Sequence, residues 1–299
     1  MSQSVTGFGY AKALIFGEYA VMYGAPGLVM GLSAPLHAHL CSPPARSITP
    51  FESRLCEILR STRSIDADVQ LQNDAFFDDT GHKLGIGSSA AAVVAVLKAA
   101  SMLDNRPFSI IEAIQFHRLL QNGVGSGIDV IASAMGGLVL ARNCPDAPEI
   151  VRIPAQNLPC IALFASHHEA PTCSFIAAAK RAESTRPFRT CMENMRELCE
   201  NMAHSVISGQ KITFLEQIHA LCALLKSFGN VIQMPIVPDF FQELEPIADA
   251  CHVAIKPSGA GGGDILLAMA SNPSDIDQFA QAIPAQFNRI PFSIADLRN

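Results

Sequence analysis

The sequence contains fewer positively charged than negatively charged residues. Its 21 lysines and arginines are outnumbered by 27 aspartates and glutamates, which gives a formal net charge of −6. Binding to a nucleic-acid backbone or to an anionic bilayer depends on clustered positive charge. We therefore expect neither a nucleic-acid nor a membrane partner, and we expect any bound anion to occupy a local pocket.

Paired cysteines are also missing. The nine cysteines are an odd number, and no two of them form a Cys-x-x-Cys pair. Disulfide frameworks use even numbers of cysteines, and structural zinc sites use closely spaced pairs. The pattern is typical of reduced thiols in a reducing compartment.

From the sequence we expect neither a secretory leader nor a membrane span. The first twelve residues lack a basic stretch followed by an apolar one, and the most apolar segment, residues 84–103, is interrupted by three serines and a lysine. We expect a cytoplasmic protein. At 299 residues and 49% hydrophobic content, it is long enough for one large domain or two of ordinary size.

Apolar runs and glycine turns predict the secondary structure of the first half. β-Branched and apolar residues between turns predict strands, and an Ala-rich run opened by two serines predicts a buried helix whose first residues act as the cap. The predicted elements are strands within residues 13–39, helices over 88–103 and 107–120, and a strand over 138–141.

The second half is predicted to start after a proline-containing segment. Residues 146–159 contain three prolines and little periodicity, so we predict a boundary between residues 1–155 and 156–299. Beyond it, helical spacing predicts a hairpin of two long helices with a core stripe on the first. That stripe consists of Phe188, Met192, Met195, Cys199 and Met202. Helices packed on antiparallel or mixed sheets form an α+β protein.

The first segment that indicates chemistry is a glycine- and serine-rich run, residues 83–91, which we call the phosphate loop. Glycines let backbone approach a ligand, and the free N–H groups and dipole of a helix start attract anions, so this run suits a di- or triphosphate. A serine hydroxyl there can bind a phosphate or Mg²⁺. The alternative is a capped helix packed tightly on a sheet. The Gly-Lys-Ser/Thr ending of a Walker loop is absent.

Two later segments supply a carboxylate and a second glycine-rich loop. Residues 123–133 place Asp129 after a Gly/Ser turn, where it can orient or deprotonate an acceptor, or act simply as a helix N-cap. Residues 258–264, which we call the glycine loop, contain four glycines, and they suit a close approach to a ligand or a surface turn. Lys12 can supply positive charge to a transferring phosphoryl group, although a solvated lysine is the alternative.

Taken in order, these segments resemble the GHMP kinases, the family of galactokinase, homoserine kinase and the mevalonate-pathway kinases. The likeness runs from Lys12 to Ala270. It implies a two-domain α+β architecture, with an N-terminal α/β sandwich, a ferredoxin-like C-terminal domain and an active site between them. It also implies an enzyme that uses ATP and Mg²⁺ on a small-molecule substrate, as a monomer or homodimer.

Local details resemble the phosphomevalonate kinase branch of that family. These details are Tyr19 after Gly-Glu, Lys83 before the phosphate loop, the absence of proline before Ser126, and the run from Lys256 to Asp264. They imply phosphorylation of (R)-5-phosphomevalonate to the diphosphate. The alternative is a mevalonate kinase or another GHMP kinase that phosphorylates an alcohol.

The resemblance also implies roles for individual residues. Lys12 and Asp129 correspond to the catalytic pair, and Ser89 is the candidate Mg²⁺ ligand. The position eleven residues before Asp129, where mevalonate kinases carry a metal-binding Glu, is Arg118. Expected contacts with the ATP phosphates come from Gly85, Gly87, Ser88, Ser89 and Ala90, and expected contacts with the substrate from Tyr19, Lys83, Ser126, Thr172, Ser174, Ala260 and Gly261.

Overall fold

The computed structural model describes residues 3–42, 49–144, 147–166, 168 and 172–295. For residues 3, 42, 172 and 173 it describes the backbone alone.

The first half of the described chain contains a five-stranded antiparallel sheet. The strands follow the order β1-β2-β4-β5, and β3 pairs with the far end of β2. The strands are β1 (Gln3–Phe16), β2 (Pro26–Ser42), β3 (Asp68–Gln72), β4 (Leu138–Arg142) and β5 (Glu149–Ile153).

Strand β5 lies inside residues 146–159, the proline-containing segment to which the sequence analysis assigned no strand or helix. β5 is the last strand in the sheet order and buries only Ile153, while Val151 is 48% exposed. An exposed strand at the edge of a sheet needs no apolar alternation, so periodicity could not reveal it.

Four helices accompany this sheet, and α2 packs directly on β1. Gly7 and Gly9 allow the close approach, since a Cβ at Gly9 would lie 2.3 Å from the carbonyl oxygen of Ala91. Because α2 is buried along most of its length, the start of this helix is held rigidly against the sheet. The helices are α1 (Pro50–Arg63), α2 (Ser88–Asp104), α3 (Ile110–Leu120) and α4 (Ile128–Met135).

The second half of the described chain contains a four-stranded antiparallel sheet in the order β7-β8-β6-β9. With a helical connection after β6 and a helix after β8, this order is that of a ferredoxin-like domain. The elements are β6 (Cys160–Ala165), α5 (Thr172–Ala182), α6 (Arg186–Ile207), α7 (Lys211–Ile232), α8 (Phe241–Ala250), β7 (Ala254–Pro257), β8 (Ile265–Ala270), α9 (Pro273–Ala282) and β9 (Asn288–Arg289).

Strand β8 is buried on both faces, which explains its uninterrupted apolar sequence. Ile265, Leu267 and Met269 join the main core, whereas Leu266 and Ala268 join a smaller core with α8 and α9. The predicted hairpin of α6 and α7 is confirmed, and all five residues of its predicted core stripe are buried.

The two halves share one continuous core and exchange backbone contacts. Leu32 of β2 forms an isolated bridge with Ile294, and the N–H of Ser33 donates to the carbonyl of Ser293. The chain changes from one sheet to the other between β5 and β6, and the exact boundary after residue 155 stays a prediction. No helix within the described ranges is long and apolar enough to cross a bilayer.

Candidate active site

The phosphate loop enters α2 through two glycines in left-handed conformation. Gly85 has φ of 71° and Gly87 has φ of 82°, and Gly87 is the N-cap of α2. The sequence predicted a hydroxyl cap, which was wrong, because no side chain caps the helix. The N–H of Lys12 donates to the carbonyl of Ile86 at 2.9 Å, so β1 fixes the loop from below. The first-turn residues Ser88 to Ala90 line a cavity.

Lys12 and Asp129 form an ion pair beside this loop. Lys12 Nζ lies 3.2 Å from Asp129 Oδ2; the lysine is 8% exposed and the aspartate side chain 37% exposed. Asp129 stands in the first turn of α4, whose N-cap is Gly127. It is therefore not an N-cap, and Lys12 is not a solvated lysine, so both alternatives drawn from the sequence are wrong.

Gly87 leaves the space through which the Lys12 side chain passes. A Cβ at Gly87 would lie 2.4 Å from Lys12 Cε and 2.8 Å from its Cγ. We expect Gly87→Ala to displace the lysine and to lower kcat by about 10²-fold, the scale found for ångström displacements of reacting groups. Gly24→Ala is the matched control, since Gly24 has the same φ of 82° with no atom within 4 Å of its Cβ position. Equal kcat values for the two variants would contradict this explanation of Gly87.

His117, which the sequence analysis did not single out, lies against the same group of residues. It is buried on α3, and its Nε2 is 3.2 Å from Ser89 Oγ. Burial lowers the pKa of His117, and the Asp129 carboxylate partly opposes that effect. The imidazole is therefore neutral at pH 7, and it can fix the direction of the Ser89 hydroxyl. A lone histidine beside Arg118 carries no pattern that could have identified it.

Two adjoining cavities meet at the Lys12–Asp129 pair. The larger, of about 940 Å³, is lined by the phosphate loop, three lysines and part of α5, and the smaller, of about 170 Å³, by the glycine loop and the turn after β1. Residues shared by both are Lys12, Gly85, His117, Gln121, Asp129, Ile176 and Asp264.

Most of the site residues expected from the sequence line these cavities. The larger contains Lys12, Lys83, Gly85, Gly87, Ser88, Ser89, Ala90 and Asp129, and the smaller adds Tyr19, Ser126, Ala260 and Gly261. Ser174 is exposed and lines neither cavity. The side chain of Thr172 lies outside what the structure describes.

The glycine loop is bonded to the other half of the molecule, so it is not a surface turn. The Tyr19 hydroxyl donates to the carbonyl of Ala260, and burial raises the pKa of Tyr19, which keeps that donor protonated. Ser258 Oγ donates to the Leu14 carbonyl at 2.9 Å and accepts from the Leu14 N–H at 3.1 Å. Gly261 has φ of 92° and packs against Ile236, which leaves no room for a side chain.

A buried ion pair supports this connection. Lys256 Nζ bonds to Glu18 Oε1, and their side chains are 0% and 1% exposed. Burial raises the pKa of Glu18, while the Lys256 ammonium opposes the shift. Glu18 Oε2 has no hydrogen-bond partner among the described residues. The pair links residues 238 apart in sequence, and the sequence analysis gave neither of them a role.

The oxygen donors near the phosphate loop suit a metal that arrives with a nucleotide. No group of three His, Cys, Asp or Glu side chains within the described part of the chain can hold an ion. Ser89 and Asp129 nevertheless line the same cavity. Mg²⁺ is typically held by one or two protein oxygens, phosphate oxygens and water, so these residues fit it.

The fold agrees with the comparisons with known proteins. Residues 57–137 match the family described as the GHMP kinases N-terminal domain. This chain therefore contains a GHMP kinase N-terminal domain over residues 57–137. This match confirms the resemblance stated from the sequence. The α+β fold class is confirmed as well, because the structure of Streptococcus pneumoniae phosphomevalonate kinase in complex with phosphomevalonate and AMPPNP has a TM-score of 0.75 to this one. The two are 18% identical, and the match covers 93% of this chain and 95% of that one.

Sequence relatives carry two different names within the mevalonate pathway. The mevalonate kinase of Pyrococcus furiosus is 24% identical, over 88% of this chain and 88% of its own length. The phosphomevalonate kinase of a Streptomyces species is 25% identical, over 64% of this chain and 58% of its own length. The chain is thus similar to mevalonate-pathway kinases, and the similarity alone does not choose between the two substrates.

Proposed function

We propose that this protein transfers the γ-phosphoryl group of ATP to the phosphate of (R)-5-phosphomevalonate. The observation that carries the proposal is the Lys12–Asp129 pair at the meeting point of the two cavities, beside the first turn of α2. The larger cavity takes ATP, and the smaller takes the acceptor, whose phosphate group extends into the larger cavity at the meeting point. In line with this proposal, the Streptococcus pneumoniae enzyme was crystallised with AMPPNP.

The phosphate loop holds the nucleotide in this proposal. Backbone N–H groups of Ser88, Ser89 and Ala90 bind the β- and γ-phosphates, and the dipole of α2 stabilises their charge. Ser89 and Asp129 would hold Mg²⁺ together with the phosphates, and the ion would neutralise charge on the phosphates. His117 holds the Ser89 hydroxyl in place for that contact.

The transfer itself needs alignment and charge stabilisation more than covalent chemistry. An oxygen of the acceptor phosphate attacks the γ-phosphorus, the bond to the β-phosphate oxygen breaks, and ADP leaves. Asp129 orients the acceptor and takes its proton where the phosphate is still protonated. Lys12 stabilises the negative charge on the transferring group. The glycine loop is hydrogen-bonded to Tyr19 and Leu14, and it positions the acceptor against Lys12 and Asp129.

The positive charge of the larger cavity favours a phosphorylated acceptor over an alcohol. Lys83 and Lys180 line it in addition to Lys12. Lys180 is exposed on α5 and was not singled out from the sequence. Lys12 is paired with Asp129, so the other two ammonium groups are the ones that a second phosphate in the site would use.

An assay of ADP release tests the proposal. Purified protein with ATP and Mg²⁺ is offered phosphomevalonate, mevalonate, homoserine or galactose in separate reactions. We expect turnover with phosphomevalonate and at least about tenfold lower kcat/KM with the three alcohols, because their binding leaves the lysines without a partner. Turnover of mevalonate alone would replace this substrate with the alternative that the Pyrococcus relative favours.

Lys83→Ala separates the two substrates by a second route. For a phosphate-bearing acceptor we expect KM to rise about tenfold or more, since a charged hydrogen bond contributes about 1.5–3 kcal/mol. For an alcohol, the KM of the acceptor stays unchanged. Lys211→Ala, at an exposed position on α7, is the control. An unchanged phosphomevalonate KM in Lys83→Ala would remove this residue from the substrate site.

The cytoplasmic location and the monomeric or homodimeric state stay predictions.

A further inference from the structure

Lys98 lies in an aromatic environment without a carboxylate partner. Its Nζ is 4.2 Å from the ring centroid of Phe8, 5.7 Å from that of Phe108 and 5.9 Å from that of Tyr10. Its one hydrogen bond within the described residues goes to the carbonyl of Ala134, at 3.3 Å. No Asp or Glu of the described chain pairs with it, which is unusual for a lysine that is only partly exposed.

A cavity of about 470 Å³ is lined in part by Lys98, and it plays no part in the proposed kinase reaction. Its apolar walls come from Phe8, Met102, Pro107 and Phe108, and Lys98 lines the same space. Solvent reaches it, since Phe8 is 37% exposed and Met102 is 60% exposed. An apolar space beside an amine suits a short hydrocarbon chain attached to that amine.

We propose that Lys98 is a site of covalent acylation, at which a small acyl thioester transfers its acyl group to the ζ-amine and the acyl chain fills the adjoining cavity. The uncharged amine attacks the thioester carbonyl carbon, and the carbon–sulfur bond breaks. The thiol leaves with the proton that the nitrogen loses, so that the product is an amide and no oxidant or reductant is needed. This inference is independent of the kinase function.

The surroundings of Lys98 favour both the reaction and its product. Burial lowers the pKa of Lys98 to about 8. At pH 7.5 roughly a quarter of the amine is then uncharged, against about one part in a thousand for an ordinary lysine. The amide keeps one N–H for the Ala134 carbonyl, and it removes a charge from a site that lacks a counterion.

Some of the other groups around Lys98 favour the charged form of its amine, and others disfavour it. The three rings stabilise the ammonium form and oppose the effect of burial. Arg106 lines the same cavity and disfavours a second positive charge, and His37 of β2 packs on Phe8 with ring centroids 6.4 Å apart. The reactivity of Lys98 therefore has to be measured against that of an ordinary lysine in the same chain.

Acetylation of the whole protein by acetyl-coenzyme A provides that measurement. The chain has seven lysines, and peptide mass spectrometry can follow Lys98 and the exposed Lys211 in one sample. At pH 7.5 we expect Lys98 to react about tenfold faster than Lys211, because its larger uncharged fraction outweighs its lower basicity. The rate at Lys98 should level off above about pH 8, while that at Lys211 should still rise near pH 10.

Unfolding the protein supplies the control for local sequence. In guanidinium chloride the two lysines should react at equal rates, and Lys98→Arg should remove the fast component without changing acetylation of Lys211. Equal rates in the native protein would overturn the proposal. A rate at Lys98 that still rises near pH 10, or an advantage of Lys98 that persists after unfolding, would overturn it as well.

Discussion

Replacing Asp129 with Asn is expected to lower kcat by at least about 10²-fold while ATP still binds. The amide keeps the shape of the side chain, but it cannot take a proton and it loses the charge that pairs with Lys12 at 3.2 Å. The nucleotide is held by the backbone of the phosphate loop, so its dissociation constant, measured without Mg²⁺, should change little. Steady-state kinetics and calorimetric titration of AMPPNP measure the two quantities separately.

The control for this substitution is Asp249→Asn, at an exposed position on α8 away from both cavities. It should leave kcat unchanged. If Asp129→Asn turned over as fast as Asp249→Asn, Asp129 would have no role in the reaction. If it lost nucleotide binding and activity together, the assignment of Asp129 to the acceptor would be wrong.

Replacing Lys256 with Met is expected to destabilise the protein by about 3–5 kcal/mol, because it leaves a buried carboxylate without its partner. Glu18 is only 1% exposed at the side chain, and its second oxygen already lacks a hydrogen-bond partner. The double variant Glu18→Gln with Lys256→Met should regain much of the loss, since it removes both charges. Urea unfolding gives the free energies.

Lys226→Met is the matched control, because it breaks an ion pair with Glu245 whose partners are 41% and 36% exposed. Pairs of that kind contribute about 1 kcal/mol or less.

Burial raises the pKa of Glu18, so in the Lys256→Met variant the folded state binds a proton more tightly than the unfolded state. The loss of stability should therefore grow as the pH rises from 5 to 8. If Lys256→Met lost no more stability than Lys226→Met, the buried Glu18–Lys256 pair would contribute no more than an exposed ion pair.

The parts of the site that the sequence predicted are those with a local signature. The phosphate loop, the Asp129 turn and the glycine loop each combine glycines with a neighbouring helix or strand. The glycines alone therefore indicate that the backbone there adopts an unusual conformation or approaches a ligand. Lys12 was identified because the other three segments gave it a context. Family resemblance then supplied roles that composition could not.

The parts that escaped prediction depend on contacts between distant residues. Glu18 meets Lys256 across 238 positions, and His117 meets Ser89 across 28. Nothing in either local sequence requires the partner. Helix α1 and strand β3 were not predicted at all, and β5 was missed because an edge strand buries too little to show a pattern. Ser174 was placed in the substrate site by resemblance, yet it lines neither cavity.

Phosphorus NMR of the complete reaction tests the central claim most directly. Wild-type protein is mixed with ATP, Mg²⁺ and phosphomevalonate, and the resonances are followed with time. If the two cavities align ATP with a phosphate acceptor, the phosphomonoester signal disappears, and two coupled diphosphate signals grow together with those of ADP. Growth of ADP and inorganic phosphate with an unchanged phosphomonoester signal would contradict the account, since the protein would then hydrolyse ATP without transferring the phosphoryl group.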